Sequence, residues 1–342
     1  MKALVLTQYK KMEYIEVETP EIKPDEVLVQ VKACGICGSD IHGFDGSTGR
    51  RQPPVIMGHE ASGVIAEVGS AVSGWKKNDR VTFDSTVYCG HCDYCRKGQI
   101  NLCSNRRVLG VSCDEYRRNG AFAEYVAIPQ HILYRLPDEV TYDQATIVEP
   151  LSVAFHAVNL SPRTVGASVT VVGTGMVGLL IVQAARAAGY GQIIAIDHHP
   201  EHLELAQNLG ADIILLSNET IDEKVKALTG GEGTDVVFEV AGTNASVHTA
   251  IACARKGGAV TLVGNIAPKV DLPLQTVVTR QLTLQGSCAS SGEYPACLDM
   301  IARKAVNVDA IISRSAPLAD GHRWFTTLYN KEGHHLKIVL NP

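Results

Sequence analysis

The pattern of apolar and polar positions divides the chain into two parts. Up to about residue 150, short apolar runs are separated by glycines and prolines, and Val27, Val29 and Val31 occupy every second position. Such alternation is typical of a strand with one buried face. The strands predicted here span residues 2–7, 26–33, 63–68 and 80–84. We therefore expect an irregular, mostly β body in this part.

From residue 168 onward, short β-branched runs alternate with longer, alanine-rich segments. The predicted strands 169–172 and 193–196 are each followed by a predicted helix, at 176–188 and 201–209. The segments 235–239, 247–254 and 259–263 continue the alternation. Strands that alternate with helices form a parallel sheet with right-handed crossovers. After residue 286 the pattern is mixed, with a helix predicted at 293–303 and a closing strand at 337–340.

Composition and charge narrow the class of protein. The chain has 342 residues, of which 45% are hydrophobic and 20% charged, and its net charge is -5. This length suits about two domains, and the apolar fraction is sufficient for a folded core. The charge provides no basic face for nucleic acid, and no apolar run reaches the roughly 20 residues that span a bilayer. Residues 1–14 lack the features of a signal peptide. We expect a cytoplasmic protein without nucleic-acid or membrane partners.

A glycine-rich segment follows the strand predicted at 169–172. Gly173, Gly175 and Gly178 give the spacing G-x-G-x-x-G at the start of a predicted helix. The first glycine permits a tight turn, the second lets the backbone approach a pyrophosphate, and the third allows close packing of helix on strand. The further cofactor contacts expected are Met176, Val177, Val240, Val263 and Ser287.

An acidic residue, Asp197, ends the next predicted strand, 19 residues after Gly178. At this place a carboxylate accepts hydrogen bonds from the adenosine ribose of a dinucleotide. A 2′-phosphate would be repelled there, so the sequence favours NAD over NADP. The alternative is a doubly wound domain whose glycine turn is only structural, or which binds another nucleotide.

Four of the ten cysteines form a dense cluster. Cys89, Cys92, Cys95 and Cys103 have the spacing C-x2-C-x2-C-x7-C. Four thiolates this close fit a tetrahedral zinc shell with bonds of about 2.3 Å, which leaves no position for substrate and indicates a structural role. An iron–sulfur cluster and disulfides are the alternatives, but nothing else indicates electron transfer or export. His91, inside this loop, is expected to be a bystander.

A second set of metal donors is spread along the first part of the chain. Cys37, His59 and Glu60 offer a thiolate, an imidazole and a carboxylate, and Glu149 lies just before the nucleotide-binding part. A catalytic zinc takes three protein ligands and keeps one position open for water or substrate. A single cysteine or histidine is often simply buried, so these residues alone leave a ligand role and a core role equally open.

The order of these motifs resembles the zinc-containing medium-chain alcohol dehydrogenases, specifically the polyol branch that includes sorbitol dehydrogenase. The shared segments are Cys37-Gly-Ser-Asp-Ile-His42, Gly58-His-Glu60, the four-cysteine cluster, Glu149-Pro-Leu-Ser-Val153 and Gly173-x-Gly-x-x-Gly178. The resemblance runs along the whole chain and implies an α/β fold. A GroES-like, mostly β catalytic domain (1–150 and 287–342, with a structural zinc lobe at about 86–106) would accompany a doubly wound parallel Rossmann domain (151–286).

The resemblance also implies the chemistry. Cys37, His59 and Glu60 would ligate a catalytic zinc, and Glu149 would bind the metal or hold its water. With NAD and a second, structural zinc, the protein would transfer a hydride between NAD and a secondary alcohol of a small polyol, cyclitol or sugar derivative. Ser39 and His42 resemble the family's proton relay; a turn hydroxyl and a surface histidine are the alternatives. The family further implies a homodimer or homotetramer.

One stretch departs from the sorbitol dehydrogenases. Those enzymes carry an Arg-Tyr pair that contacts the sugar hydroxyls, where this chain has Ala289 and Ser290. The change argues against sorbitol and leaves open a cyclitol, a shorter polyol, a sugar phosphate or an amino-sugar alcohol. An L-threonine type of dehydrogenase is the alternative enzyme, and a non-catalytic relative is disfavoured because such proteins lose the zinc ligands. The arginines assigned to surface charge rather than to anion contacts are Arg50, Arg51, Arg117 and Arg118.

Overall fold

A computed structural model describes every residue from Met1 to Pro342. The strands, numbered along the chain, are β1 (Lys2–Gln8), β2 (Lys11–Glu16), β3 (Glu26–Gly35), β4 (Val55–Ile56), β5 (Glu60–Val68), β6 (Arg80–Phe83), β7 (Thr86–Val87), β8 (Arg107–Val108), β9 (Val111–Ser112), β10 (Arg117–Arg118), β11 (Tyr125–Pro129), β12 (Leu133–Arg135), β13 (Val169–Val172), β14 (Ile193–Asp197), β15 (Ile213–Leu216), β16 (Thr234–Glu239), β17 (Ala254–Leu262), β18 (Thr283–Gly286), β19 (Ile312–Pro317) and β20 (Lys337–Asn341). The helices are α1 (Gly38–Phe44), α2 (Asp93–Arg96), α3 (Tyr142–Ala145), α4 (Val148–Leu160), α5 (Met176–Ala187), α6 (Pro200–Asn208), α7 (Ile221–Leu228), α8 (Asn244–Cys253), α9 (Leu274–Thr279), α10 (Tyr294–Ala302) and α11 (Gly321–Tyr329). None of these helices is long and apolar enough to span a bilayer.

The chain divides into two compact units. The first contains Met1–Glu149, Tyr294–Lys304 and Val308–Pro342, and the second contains Pro150–Glu293 and Ala305–Asn307. The sequence predicts a return to the first domain at residue 287, whereas 287–293 lies in the second unit. A buried contact accounts for this, because the carboxylate of Glu293 lies 2.8 Å from Nδ1 of His156, which belongs to the same unit.

The first unit is built around a seven-stranded sheet. Its order is β12-β6-β5-β3-β20-β19, with β11 paired to β3. The C-terminal strand β20 pairs with β3 in antiparallel register, with Val339 opposite Gly35 and Leu340 opposite Cys34. The C-terminal strand therefore joins the sheet of the N-terminal part at β3, which brings the first residue of β20, Lys337, into the unit that holds the metal-donor motifs.

The core of the first unit follows the predicted period of two. Val27, Val29 and Val31 of β3 are all buried. Helix α11 packs on this core through Phe325, whose ring centroid lies 5.5 Å from that of Phe44 and 5.6 Å from that of Phe122. The hydrophobic effect of burying these rings favours a helix whose own residues have modest helix propensity.

The second unit contains a six-stranded, fully parallel sheet in the order β15-β14-β13-β16-β17-β18. The strand order reverses at β13, as in a doubly wound Rossmann sheet. The predicted fold class is confirmed, and the strand predicted at 169–172 has those bounds. The sequence pattern does not predict β15, α7, α9, β19 or α11.

Candidate active site

Cys37 lies between the end of β3 and the start of α1. Its backbone N–H donates to Oδ2 of Asp40 at 3.2 Å, so an acidic side chain in the first turn fixes the start of this short helix. The preceding Ile36 N–H donates to the Ile338 carbonyl of β20 at 2.9 Å. These two hydrogen bonds fix the position of the backbone that carries the Cys37 thiol.

His59 and Glu60 stand at the start of β5, directly after a turn at Gly58. Gly58 has a φ of 94°, and a Cβ there would lie 2.8 Å from Sγ of Cys34. Only glycine fits this turn. The turn sets both donor side chains towards the interior, where His59 is 5% exposed and Glu60 is 1% exposed.

Cys37, His59 and Glu60 form one compact donor set, because their ligand atoms all lie within 4.8 Å of one another. Oε1 of Glu60 is buried without a hydrogen-bond partner. A buried, unpaired carboxylate oxygen is costly unless a cation or donor satisfies it. A thiolate, an imidazole and a carboxylate also match the donor types of a catalytic zinc site, so the residues fit this metal.

Asp40 contacts the histidine of the donor set. Its Oδ1 lies 3.4 Å from Nδ1 of His59 and 3.8 Å from Nη2 of Arg51, and the side chain is fully buried. Burial works against ionisation, but His59, Arg51 and the Cys37 N–H together hold the pKa of Asp40 below its usual value. A carboxylate beside one ring nitrogen orients a histidine so that the other nitrogen faces the metal.

Lys337 pairs with the other oxygen of Glu60. Its ammonium group donates to Oε2 of Glu60 and, at 3.1 Å, to the Ile36 carbonyl. Both side chains are completely buried. Burial lowers the pKa of a lysine, but Glu60 together with Cys37 and Glu149 outweighs this effect, and the pKa of Lys337 is raised. One oxygen of Glu60 is therefore neutralised within the protein, and the other remains for a metal.

Glu149 is a predicted donor that lies outside the compact set. It is partly buried near the start of α4, and its Oε1 accepts a hydrogen bond from Ser85 at 3.4 Å. Desolvation raises its pKa to about 7. A carboxyl group that can exist with or without its proton is suited to handling a proton rather than only holding a metal.

Ser39 and His42 occupy exposed positions of α1, three residues apart and so on one side of the helix. Oγ of Ser39 accepts a hydrogen bond of 3.5 Å from Nη2 of Arg51. The prediction that Arg51 is surface charge is wrong, because this residue is 6% exposed. Its stem occupies the space beside Gly43, where a Cβ would lie 2.2 Å from the Arg51 Cγ.

Three residues around this site were missed by the reasoning from sequence: Asp40, Arg51 and Lys337. Asp40 lies three residues after Cys37, so helical spacing could have revealed it. Lys337 lies 277 residues from Glu60 in the chain, and no local pattern connects them.

The four-cysteine cluster lies apart from this set. The Sγ atoms of Cys89, Cys92, Cys95 and Cys103 all lie within 4.8 Å of one another. Sγ of Cys92 is 3.5 Å from Sγ of Cys95 and 4.0 Å from Sγ of Cys103. Tetrahedral zinc with bonds of about 2.3 Å needs sulfurs about 3.8 Å apart, whereas a disulfide needs about 2.05 Å. All four cysteines are free of disulfides.

Backbone amides favour the thiolate of Cys92, whereas burial raises the pKa of Cys95 to about 12. The N–H groups of Cys95 and Ser104 lower the pKa of Cys92 to about 6. His91 is exposed, and its Nδ1 lies 2.8 Å from the Cys89 carbonyl rather than in the donor set.

The glycine-rich turn of the second unit has the geometry that its spacing predicts. Gly173 has a φ of 95°, and a Cβ on Gly178 would lie 1.9 Å from the Gly173 carbonyl oxygen. Gly175 is the N-cap of α5, and a Cβ there would meet nothing within 4 Å. This leaves open space before the free N–H groups of the helix, where the phosphates of a dinucleotide bind.

The other predicted cofactor residues lie at the same edge of the parallel sheet. Asp197 is the last residue of β14, whereas Val240, Val263 and Ser287 directly follow β16, β17 and β18. Met176 and Val177 form the first turn of α5. Ligands of doubly wound sheets bind outside the carboxyl ends of the strands, near the point where the strand order reverses.

Comparisons with known proteins agree with this geometry. Residues 23–138 match the family described as "Alcohol dehydrogenase GroES-like domain", and residues 176–303 match "Zinc-binding dehydrogenase". The chain is 34% identical to D-arabitol-phosphate dehydrogenase of Enterococcus avium, over 98% of this chain and 95% of the relative. It is 32% identical to sorbitol dehydrogenase of Bacillus subtilis strain 168, over 100% of this chain and 97% of the relative.

A solved structure from Sinorhizobium meliloti 1021, described as a zinc-binding dehydrogenase bound to NADP, superposes with a TM-score of 0.90. It is 32% identical in sequence, and the superposition covers 100% of this chain and 99% of that one.

Proposed function

The chain belongs to the zinc-containing medium-chain alcohol dehydrogenase family, and we propose that it transfers a hydride between NAD and a secondary alcohol of a small polyol, cyclitol or sugar derivative. The compact donor set of Cys37, His59 and Glu60 carries this proposal. Three protein donors with a buried, unpaired carboxylate oxygen leave a fourth coordination position for a substrate oxygen, as catalytic zinc sites do.

The residues around this fourth coordination position have separate roles. When bound, the zinc would polarise the substrate hydroxyl and NAD would accept the hydride. Asp40 orients His59, and Lys337 pairs with Oε2 of Glu60, which leaves Oε1 without a hydrogen-bond partner. Because Glu149 lies outside the compact set, we assign it to the water or substrate rather than to the resting ligand shell.

A proton must leave the site when an alcohol is oxidised. We propose that Glu149, whose carboxyl pKa desolvation raises, accepts this proton. Ser39 and His42 offer a second route, because both are exposed on α1 and Ser39 lies within 3.5 Å of Arg51. We propose that this pair passes the proton towards solvent.

The four-cysteine cluster is proposed to hold a second, structural zinc. Its sulfur separations of 3.5 and 4.0 Å bracket the tetrahedral value, and four thiolates leave no position for substrate. The zinc content expected for each subunit is therefore one ion at each of the two donor clusters.

Asp197 supports NAD as the cofactor. Its carboxylate is held at the carboxyl end of β14, beside the glycine-rich turn. A 2′-phosphate would meet this negative charge, whereas ribose hydroxyls would donate to it. The relative from Sinorhizobium meliloti is bound to NADP. The preference of this chain for NAD over NADP is therefore to be tested by experiment.

A homodimer or homotetramer is also proposed. Strand β18 is one of the two edge strands of the parallel sheet. The nearby segment exposes large apolar side chains: Ile266, Val270, Leu272, Leu274 and Val278. Exposed apolar groups beside an open strand edge are typical of a protein interface, and a second copy of the chain would cover them.

The experiment that tests the function combines metal analysis with a substrate panel. The purified protein is expected to contain zinc and to form NADH with at least one of xylitol, D-arabitol, a cyclitol or D-arabitol phosphate. The phosphate is included because one relative is named for such a substrate. Activity restricted to L-threonine would favour the amino-alcohol alternative, and zinc-free protein with full activity would contradict the proposal.

A further inference from the structure

The carboxylate of Asp197 is fixed by a set of hydrogen bonds. Oδ2 accepts from the Thr174 N–H at 2.6 Å and from the Thr174 hydroxyl at 3.0 Å. Oδ1 accepts from the His199 N–H at 2.9 Å. The glycine-rich turn and the start of α6 therefore hold this carboxylate in one orientation, in which it is 8% exposed.

An imidazole lies directly against this carboxylate. Nδ1 of His202, in the first turn of α6, is 3.7 Å from Oδ1 of Asp197, and this nitrogen is buried without a hydrogen-bond partner. The ring centroid of His202 lies 5.0 Å from that of His199. When His202 is protonated, its charge offsets that of Asp197 at close range.

Few other charges face His202. Glu201 and His199 lie on the same segment, with Oε1 of Glu201 3.7 Å from Nδ1 of His199. Helix α6 also packs on β14, β15 and α5. Strand β15 carries no titratable residue, and Arg186 of α5 is paired with Asp212 at 2.6 Å.

Asp197 dominates the electrostatics of this cluster. It raises the pKa of His202, while the neighbouring His202 imidazole and the hydrogen bonds from Thr174 and His199 overcome burial and lower the pKa of Asp197. Asp197 therefore stays ionised at pH values where His202 changes its charge.

We propose that His202 is a specificity-determining residue for the cofactor, because its charge decides how strongly Asp197 excludes the 2′-phosphate of NADP. With a neutral His202 the carboxylate repels the phosphate, and NAD is selected. With a protonated His202 the pair is nearly neutral, and NADP is tolerated. This inference rests on the proposed dinucleotide-dependent function and assigns its selectivity to a residue outside the glycine-rich turn.

The test is to measure the dissociation constants of NADH and NADPH by fluorescence titration between about pH 5.5 and 8.5. The proteins compared are the wild type, H202Q, H202N and the matched control H199Q, which keeps the backbone donor to Asp197. The 2′-phosphate itself titrates near pH 6, but this effect is common to all four proteins. Differences between the proteins therefore isolate the imidazole.

At pH 8.5 the ratio of the NADPH to the NADH dissociation constant is expected to agree between the wild type and H202Q. At pH 5.5 the wild-type ratio should be about three- to tenfold lower than that of H202Q, as expected for one unit charge acting over several ångströms in a partly solvated site. H202N should follow H202Q, and H199Q should follow the wild type.

Three results would overturn this inference without affecting the proposed function. They are equal dissociation-constant ratios in wild type and H202Q at every pH, a difference between these two proteins that does not change with pH, or a loss of the pH dependence of the ratio in H199Q. A pH-independent difference would show that His202 only shapes the pocket. Failure of the folded wild type to bind either nucleotide would instead overturn the proposed function, and this inference with it.

Discussion

The two clusters of metal donors differ in how far apart their members lie along the chain. Cys89, Cys92, Cys95 and Cys103 fall within one loop, and only Cys103 is buried. The donor set of Cys37, His59 and Glu60 is more deeply enclosed, and it depends on Lys337 from the opposite end of the chain. A local cluster needs little beyond its own spacing, whereas the enclosed site needs the whole first unit.

This difference predicts two kinds of failure. Loss of a donor in the enclosed site should abolish turnover while the sheet of the first unit remains folded. Loss of a donor in the four-cysteine loop removes the main cross-link of a segment with little core of its own, because structural zinc contributes directly to folding.

The largest effect is expected for Cys37→Ser. Turnover should fall at least about a thousandfold, because Lewis acidity at the substrate oxygen contributes several kcal/mol to lowering the barrier. Zinc content measured by mass spectrometry should drop from two ions to one, since one of the two donor clusters is lost. NADH binding should persist, because the glycine-rich turn lies in the other unit.

The control for this experiment is Cys253→Ala, which changes a cysteine at the end of α8, outside both clusters. It should keep the full zinc content and turnover. A Cys37→Ser protein with wild-type activity would show that this donor set is not the catalytic site.

The second effect is expected for Cys92→Ser in the four-cysteine loop. One zinc should again be lost, but here the melting temperature should fall by about 10 °C, because the metal stabilises the loop. Turnover per folded molecule at low temperature should change much less than in Cys37→Ser. If both variants lost activity equally with unchanged melting temperatures, the functional distinction between the clusters would be wrong.

The separation of interacting residues along the chain also explains which features could be predicted from the sequence. The four-cysteine cluster, the glycine-rich turn and the parallel sheet depend on spacings of a few residues, which period and motif reveal. The buried pair of Lys337 with Glu60 depends on the register of β20 against β3, which no local pattern contains. Helix α11 was missed because its apolar face is stabilised by packing on Phe44 and Phe122 rather than by propensity.

The role of Arg51 was mistaken for a related reason. An arginine in a polar loop is usually exposed. Here Gly43 leaves room for its stem, and Asp40 and Ser39 lie near its guanidinium. The residues that surround the donors were therefore harder to predict than the donors themselves, and they provide the next two tests.

The third effect is expected for Lys337→Met. This change leaves Glu60 charged and unpaired in the core, and removing one partner of a buried ion pair costs about 3–5 kcal/mol. The free energy of unfolding of metal-free protein should fall by that amount. Added zinc should restore part of it by neutralising the carboxylate, whereas Lys337→Arg should lose less. A metal-free Lys337→Met protein as stable as the wild type would contradict the assigned ion pair.

The smallest of the four effects is expected for Asp40→Asn. The amide can still accept from the Cys37 N–H, but it no longer places a negative charge 3.4 Å from Nδ1 of His59. Loss of such support typically weakens metal binding about 10- to 100-fold. Competition with a chelator should show this weakening at the catalytic site only, because the four cysteines have no part in the contact. Asp45→Asn, at the other end of α1, is the matched control and should leave both affinities unchanged. Equal weakening at both sites would mean that Asp40 supports the fold of the unit rather than the orientation of one ligand.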